Sequence, residues 1–168
     1  MPDMLVKLYD LPKDDGLEER LAREGIIIRR AMAPDKLRIV PRVQEISTLS
    51  AAGECDVSFS RVPVSCFIAT LGAKIIGYAC YDATALNFFG PTAVDPAWRG
   101  KGIGKALLLR CMHAMADEGY GYAIIGSVGP AAFYEKVVGA TIIPDSTPGV
   151  YKDFVGMLEK QEKEKEGR

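Results

Sequence analysis

The stretch that decides the fold begins Asn87-Phe-Phe-Gly-Pro-Thr-Ala-Val94, continues Asp95-Pro-Ala-Trp98 and Arg99-Gly-Lys-Gly-Ile-Gly-Lys105, and ends in an apolar segment that reaches Met115. Its pattern predicts a strand, a tight turn, a glycine-rich loop and a helix that opens at the loop. We call residues 99–105 the glycine loop. Because glycine accepts backbone angles that clash with a Cβ atom, successive N–H groups can converge there beside the positive end of the helix dipole. With its arginine and two lysines, the loop predicts a site for a phosphate or pyrophosphate.

Spacing within the glycine loop separates the known kinds of phosphate site. The dinucleotide fingerprint G-x-G-x-x-G fails because no glycine stands at its third position. The P-loop fails because Arg99 replaces its first glycine and Ala106 replaces its serine or threonine. The pattern R-x-x-G-x-G fits Arg99, Gly102 and Gly104. After a strand that ends Ala-Val-Asp-Pro, this pattern resembles the acyl-coenzyme A pyrophosphate loop of the GNAT superfamily of N-acetyltransferases.

A second segment, residues 131–140, also resembles that superfamily. Its pattern there is N-x-x-A-x-x-x-Y-E-K-x-G-F, and Tyr134 takes the tyrosine position in this chain. Glu135 and Lys136 follow, and Gly139 takes the glycine position after one extra residue. The departures from the pattern are Ser127 in place of asparagine, Pro130 in place of alanine and Ala140 in place of an aromatic residue.

The resemblance covers about Ile26 to Phe154 and implies an α/β (α+β) architecture, the GNAT acyl-coenzyme A N-acyltransferase fold. In that fold a mixed central β-sheet, flanked by helices, is splayed between its fourth and fifth strands. In this chain these are the strands that end at Val94 and Ser127. Gly90-Pro91 independently favours a bulge or a break in pairing there, since proline has no N–H to donate.

The resemblance further implies an N-acetyltransferase with acetyl-coenzyme A as co-substrate. A primary amine of a small molecule or peptide would attack the thioester directly, through a tetrahedral intermediate. The N–H near Val94 would stabilise the oxyanion, and Tyr134 would protonate the departing thiolate. The coenzyme contacts that the resemblance implies are Ala93, Val94, Arg99, Gly100, Lys101, Gly102, Ile103, Gly104, Lys105, Ser127 and Phe133.

The general base is not identified by the sequence. Many superfamily members carry a glutamate on the strand before the loop, but residues 87–94 contain no acid. The candidates elsewhere, each also interpretable as a surface carboxylate, are Glu54, Asp56 and Asp82. A water chain, or an acceptor amine that arrives neutral, would also serve. Walls for the acceptor are expected from residues 50–61, 78–82 and 144–151.

Two other functions remain open beside the enzyme. A catalytically silent acyl-coenzyme A sensor is supported by the missing strand carboxylate and opposed by the retained Tyr134. A nucleotide-binding module without transfer chemistry is opposed by the failed dinucleotide and P-loop spacings. Ligand preference separates these hypotheses, since an acyltransferase favours acetyl-coenzyme A over adenine nucleotides.

Length and composition bound the class of protein. The chain has 168 residues, 48% of them hydrophobic, and a formal net charge of −1. This balance gives no support for a nucleic-acid partner, and no run approaches the roughly 18 apolar residues of a membrane span. We therefore expect a cytoplasmic protein, and the sequence is compatible with a homodimer. The predicted organisation is one domain over 1–158, with an N-terminal extension over 1–25, a core over 26–155, and a charged tail over 159–168.

The cysteines and the one histidine are interpreted as structural. Cys55, Cys66, Cys80 and Cys111 contain no Cys-x-x-Cys pair, so neither a zinc site nor a disulfide framework is expected. Reduced thiols within the core are the preferred interpretation, and no metal is predicted. At about 100° per residue, His113 falls on the polar face of the helix that follows the glycine loop.

The remaining pattern predicts further elements. Pro41 is expected to kink or divide a helix, and the conformation of Ser50–Ser60 is left open. Val64–Tyr81 predicts a β-hairpin with a short glycine-containing turn. The last strands are expected over Ala140–Ile143 and Val150–Val155, joined by a loop.

Overall fold

A seven-stranded mixed β-sheet lies between two layers of helices, and the computed structural model describes residues 1–168. The strands are β1 (Met4–Lys7), β2 (Ile26–Arg30), β3 (Cys66–Leu71), β4 (Lys74–Tyr81), β5 (Phe88–Val94), β6 (Tyr122–Ile125) and β7 (Thr141–Ile142). The helices are α1 (Leu17–Arg23), α2 (Lys36–Ile46), α3 (Leu49–Ser58), α4 (Ile103–Asp117), α5 (Ala131–Val138) and α6 (Val155–Glu166). None of these helices has both the length and the apolar character that crossing a membrane requires.

The sheet opens between β5 and β6, as predicted for the fourth and fifth strands of the core. The strand order is β2-β3-β4-β5-β6-β1-β7, and β5 with β6 is its parallel pair. Their pairing is confined to Phe88 with Ile124 and Phe89 with Ile125. Beyond Phe89, β5 continues to Val94 against β4 alone, after an irregularity in register at the Gly90-Pro91 step. One edge of β5 is therefore left without a neighbouring strand.

The N-terminal segment forms part of the sheet. Strand β1 pairs antiparallel with β6 on one side and with β7 on the other. Met4 and Val6 are fully buried, and Leu17 and Leu21 of α1 join the same core cluster. The segment over 1–25, predicted as an N-terminal extension, is thus packed into the core.

The prediction of a final strand over Val150–Val155 is wrong. A 3₁₀ turn covers Gly149–Tyr151 and α6 begins at Val155, so the charged tail over 159–168 is largely helical. The physical reason lies in the sheet, where the place between β6 and β7 is already filled by β1. A later strand has no free edge there to pair with.

The structure describes two helical segments that the sequence left open. The undecided segment Ser50–Ser60 belongs mostly to α3, whose N-cap Thr48 accepts a hydrogen bond of 3.0 Å from the Ala51 N–H. Pro41 lies inside α2 without dividing it. The carbonyl that its missing N–H leaves unpaired is that of Leu37, a highly exposed residue, so water can satisfy it.

The core forms two clusters. The larger one contains the apolar side of α4 with residues from α1 and α5, and the smaller one packs α2 and α3 against β3 and β4. The predicted face of α4 is confirmed, since Ile103, Leu107 and Met112 are buried while His113 is exposed.

Candidate active site

A cavity of about 520 Å³, which we call the loop cavity, lies where β5 and β6 separate. It is bounded by the end of β5, the glycine loop, the first turn of α4 and the start of α5. The predicted residues that line it are Ala93, Val94, Arg99, Gly100, Gly102, Ile103, Gly104, Lys105, Phe133 and Tyr134. The fold thus brings two distant sequence motifs to one opening.

The unpaired edge of β5 faces this cavity with free backbone groups. The Asp95 N–H donates to the Ile76 carbonyl of β4 over 2.9 Å. Because neighbouring residues of a strand point their N–H groups in opposite directions, the Val94 N–H points away from β4, to the open edge. The Val94 carbonyl on that side accepts a bond of 3.2 Å from Nε of Arg99. A ligand lying along this edge would find one free donor at Val94.

The glycine loop presents unpaired amides at the start of α4. Gly100 and Gly102 have φ angles of +82° and +90°, which disfavour any residue with a Cβ atom. The first helical bond is from the Ala106 N–H to the Gly102 carbonyl, at 3.0 Å. The amides of residues 103–105 therefore precede the helical ladder and have no backbone acceptor. Together with the helix dipole they form an anion-binding end.

Basic side chains of the loop are partly engaged by acidic residues near α1. Nζ of Lys105 lies 2.9 Å from Oδ2 of Asp15, and Nζ of Lys101 lies 3.4 Å from Oε2 of Glu24. The hydrogen bond from Lys105 lowers the pKa of the Asp15 carboxyl. Lys105 lines the cavity, whereas Lys101 does not. The two lysines, both predicted to contact the coenzyme, therefore differ in their position relative to the cavity.

Tyr134 projects from α5 into the loop cavity. Its ring is buried and makes edge-to-face contacts with Phe133 and Phe89, with ring centroids 5.1 and 6.3 Å away. The tyrosine hydroxyl makes no hydrogen bond within the protein, and burial raises the pKa of this phenol. A protonated, unengaged hydroxyl is therefore available to a bound molecule.

A second cavity, of about 460 Å³, lies between α3 and the segment before α6. We call it the α3 cavity. Its lining residues are Ser50, Gly53, Glu54, Val57, Ala83, Thr84, Val150, Tyr151 and Phe154. Two of the expected acceptor walls, from 50–61 and 144–151, thus meet here, while the third, from 78–82, does not line the cavity.

Gly126 lies close to side chains that line or adjoin the two cavities. A Cβ atom at this position would stand 2.3 Å from the hydroxyl of Tyr151 and 3.1 Å from the ring of Phe88. Tyr151 lines the α3 cavity, and Phe88 precedes Phe89, which lines the loop cavity. The absence of a side chain at Gly126 thus lets Tyr151 approach the end of the splayed strands.

Comparison with known proteins finds one family model that matches part of the chain. The family described as acetyltransferase (GNAT) domain matches residues 63–137, from three residues before β3 to the last turn of α5. The matched segment contains both the glycine loop and Tyr134. The prediction from the two motifs is confirmed. Among curated proteins, no sequence matches the chain.

Solved structures share the GNAT fold at low sequence identity. A GCN5-related glucosamine N-acetyltransferase region of a fungal multi-domain GH3 β-N-acetylglucosaminidase superposes with a TM-score of 0.67 at 13% identity, over 84% of this chain and 19% of that one. A GCN5-related N-acetyltransferase from Sphaerobacter thermophilus gives 0.62 at 19%, over 84% and 48%. An aminoglycoside acetyltransferase from an uncultured soil metagenomic sample gives 0.51 at 17%, over 68% and 88%. The chain thus spans under half the length of the first two.

The three base candidates have different surroundings. Asp82 is not a surface group, because its buried carboxylate pairs with Arg61 and accepts bonds from the Tyr120 hydroxyl and the Asn87 N–H. Asp56 is exposed and lies 3.1 Å from Nζ of Lys36. Glu54 alone of the three lines a cavity.

Ser127 is the other predicted contact that the fold places elsewhere. Its N–H donates to Oδ1 of Asp3 over 2.8 Å, so it helps to hold the N-terminus beside β6. The lining residues that the motifs did not indicate are Phe89, Thr92, Trp98, Leu108 and Pro130. Thr92 could have been found from the alternation of β5, and Leu108 from its place one helical turn after Gly104. The others depend on tertiary packing.

Proposed function

We propose that the protein is an N-acetyltransferase that transfers the acetyl group of acetyl-coenzyme A to a primary amine of a small molecule or peptide. The observation that carries the proposal is the loop cavity. It combines a pyrophosphate-type loop, a free strand edge at Val94 and the unengaged hydroxyl of Tyr134. This combination is specific, since a phosphate site alone would need neither the strand edge nor the phenol.

The residues present fit the coenzyme by their chemistry. The amides of residues 103–105 and the side chains of Arg99 and Lys105 suit a pyrophosphate. The open edge of β5 suits an amide-bearing chain such as pantetheine, which can pair with it as a strand would. A Cβ atom at Gly104 would meet Val94 only at 3.7 Å, so the loop and the strand end stand close enough to serve one ligand.

The chemistry then assigns two roles. The thioester of acetyl-coenzyme A supplies an activated acetyl group and a thiolate that can leave. The Val94 N–H donates to the carbonyl oxygen as negative charge develops on it. As the new N–C bond forms and the C–S bond breaks, Tyr134 donates its proton to the sulfur and is reprotonated by solvent.

The α3 cavity is the proposed acceptor side. The Glu54 carboxylate and the rings of Tyr151 and Phe154 suit an amine with an apolar body, because carboxylates and aromatic faces both attract ammonium groups. The ammonium must lose a proton before it attacks, and we assign Glu54 to accept it. Atoms and charge then balance, since Glu54 holds the first proton of the ammonium and the second leaves the nitrogen to solvent as the amide forms.

One observation favours the acyl-coenzyme A sensor as a second candidate. Strand β5 carries no carboxylate, so the nearest base candidate lies on a different element. A sensor would bind the acyl-coenzyme A in the same loop cavity and release no product.

The test measures free thiol released from acetyl-coenzyme A with a broad amine panel, in the native protein and in Tyr134→Phe. Tyr122→Phe is the matched control, because Tyr122 is half exposed and packs on Tyr9 outside the cavity. Coenzyme affinity is measured calorimetrically in all three. Amine-dependent release that collapses only in Tyr134→Phe, at equal affinity, is expected. Binding without release from any amine favours the sensor, and no binding overturns both proposals.

A further inference from the structure

Three cysteine side chains that lie far apart in sequence meet in the smaller core cluster. The Sγ atoms of Cys55, Cys66 and Cys80 all lie within 4.8 Å of one another, and the three residues are fully buried. They come from α3, β3 and β4. The arrangement was not predictable, because the spacing of these cysteines in the sequence matches no metal-binding motif.

The sheet register places two of these thiols side by side. Cys66 lies directly opposite Cys80 in the antiparallel β3–β4 pair. The adjacent pair is hydrogen-bonded, with the Tyr81 N–H donating to the Ser65 carbonyl over 3.0 Å. Because such pairs alternate, Cys66 and Cys80 form a non-hydrogen-bonded pair, whose side chains are the closer kind. Cys55 of α3 then covers them from one face of the sheet.

The surroundings of the cluster are apolar and supply no cation. The buried residues of its core cluster are Ala31, Ile39, Val43, Ala51, Ala52, Val64, Ile68, Tyr78 and Ala83. None of these residues carries a charged side chain.

We propose that Cys55, Cys66 and Cys80 form a binding site for one soft, monovalent metal ion of the Cu(I) class. Thiolate ligands select such ions, and Cu(I) accepts two or three sulfur ligands. A structural zinc site would need four protein ligands, but no fourth cysteine, histidine or carboxylate belongs to the group. Ser58 is already engaged, since its hydroxyl donates to the Cys55 carbonyl over 2.6 Å.

Metal binding is coupled to the loss of thiol protons, because the thiolate is the ligand. Each thiol that coordinates releases its proton to solvent. No oxidant or reductant is needed, because the ion enters and stays as Cu(I).

The site would link α3 to the sheet. Cys55 follows Glu54, which lines the α3 cavity, while Cys66 and Cys80 lie on β3 and β4, the two strands of the β-hairpin. Bound metal would therefore hold the α3 wall of that cavity in place. The inference itself does not depend on the proposed function, since its measurement is metal retention.

The test is an anaerobic titration of the full-length reduced protein with Cu(I) against bathocuproine disulfonate, a chromogenic Cu(I) chelator. One equivalent retained per chain is expected, with retention weakened by about 100-fold or more in Cys55→Ala. Cys111→Ala is the matched control, because Cys111 is equally buried but belongs to the larger core cluster. Its retention is expected to equal that of the native protein.

Two measures keep the result decisive. Because the site is buried, the protein is refolded from urea in the presence of Cu(I), so that the ion can reach the thiols. Circular dichroism verifies that each variant is folded. The milder Cys55→Ser replaces the variant if Cys55→Ala does not fold. Failure of the folded native protein to retain Cu(I) after refolding overturns the proposal, as does equal loss in Cys55→Ala and Cys111→Ala.

Discussion

The hydroxyl of Thr84 donates a hydrogen bond of 2.6 Å to Oε1 of Glu54, which ties the segment after β4 to helix α3. The bond fixes one carboxylate oxygen and leaves the other without a side-chain partner inside the α3 cavity. Nearby, burial raises the pKa of Tyr151 to about 12, so that side chain is neutral and the carboxylate is the charged group of the lining.

Replacement of this carboxylate is expected to weaken amine binding. Glu54→Gln keeps the shape and the bond from Thr84 but removes the charge and the proposed base, so KM for a cationic amine should rise by roughly tenfold or more and kcat should fall. Asp56→Asn is the matched control on the same helix, since Asp56 is exposed and pairs with Lys36. Steady-state kinetics over the amine panel provide the measurement. An equal rise in KM in both variants would mean that general charge, not this site, attracts the amine.

The Asp15 carboxylate, which pairs with Lys105, is expected to oppose coenzyme binding. Asp15→Asn frees the lysine for the pyrophosphate, so affinity for coenzyme A should increase by about two- to fivefold and become more dependent on salt. Asp14→Asn makes the same charge change at the neighbouring residue, which caps the Gly16 N–H instead. Calorimetric titrations at low and high salt measure both. If Asp14→Asn strengthens binding as much, the pairing with Lys105 has no special role.

The glycine loop and helix α4 were predictable because short-range spacing determines them. Glycines at alternate positions, an adjacent proline and a helical apolar period specify a strand, a loop and a helix within a few residues of one another. The apolar face of α4 and the exposure of His113 follow from the same periodicity. Such elements are predictable because the residues that determine each of them lie within one short segment.

Pairing between distant segments was not predictable in this way. The pattern of Met4–Tyr9 predicts a short strand but not its neighbours, and which strand takes the place beside β6 is decided by packing. For the same reason the bond from the Ser127 amide to Asp3 was not predictable. The meeting of Cys55 with the β-hairpin likewise depends on how α3 crosses the sheet.

The buried N-terminal strand is expected to be essential for stability. Val6 is fully buried and faces Ala123 of β6 in register, so Val6→Ala should lower the free energy of unfolding by roughly 2 kcal/mol through lost apolar burial and a cavity. Lys7 is the exposed neighbour of Val6, so Lys7→Ala is the control. It should change the free energy of unfolding by less than about 0.5 kcal/mol. Urea unfolding followed by circular dichroism measures both. A Val6→Ala effect as small as that of Lys7→Ala would show that β1 is dispensable.

The pH dependence of turnover is expected to identify Tyr134 as an acid. Burial raises the pKa of its phenol above the ordinary value near 10, so the group stays protonated through neutral and mildly alkaline pH. An acid loses activity as the pH rises through its pKa, and kcat should therefore show no falling limb below about pH 9.5.

In Tyr134→Phe the proton donor is absent at every pH. The value of kcat should drop by about 100-fold, while the shape of the profile over pH 6–9.5 stays the same because no titration of Tyr134 falls in that range. Stopped assays of thiol release with saturating acetyl-coenzyme A and amine give both profiles. A native falling limb centred between pH 7 and 9 that disappears in Tyr134→Phe would contradict the raised pKa, and unchanged kcat in the variant would remove Tyr134 from the chemistry.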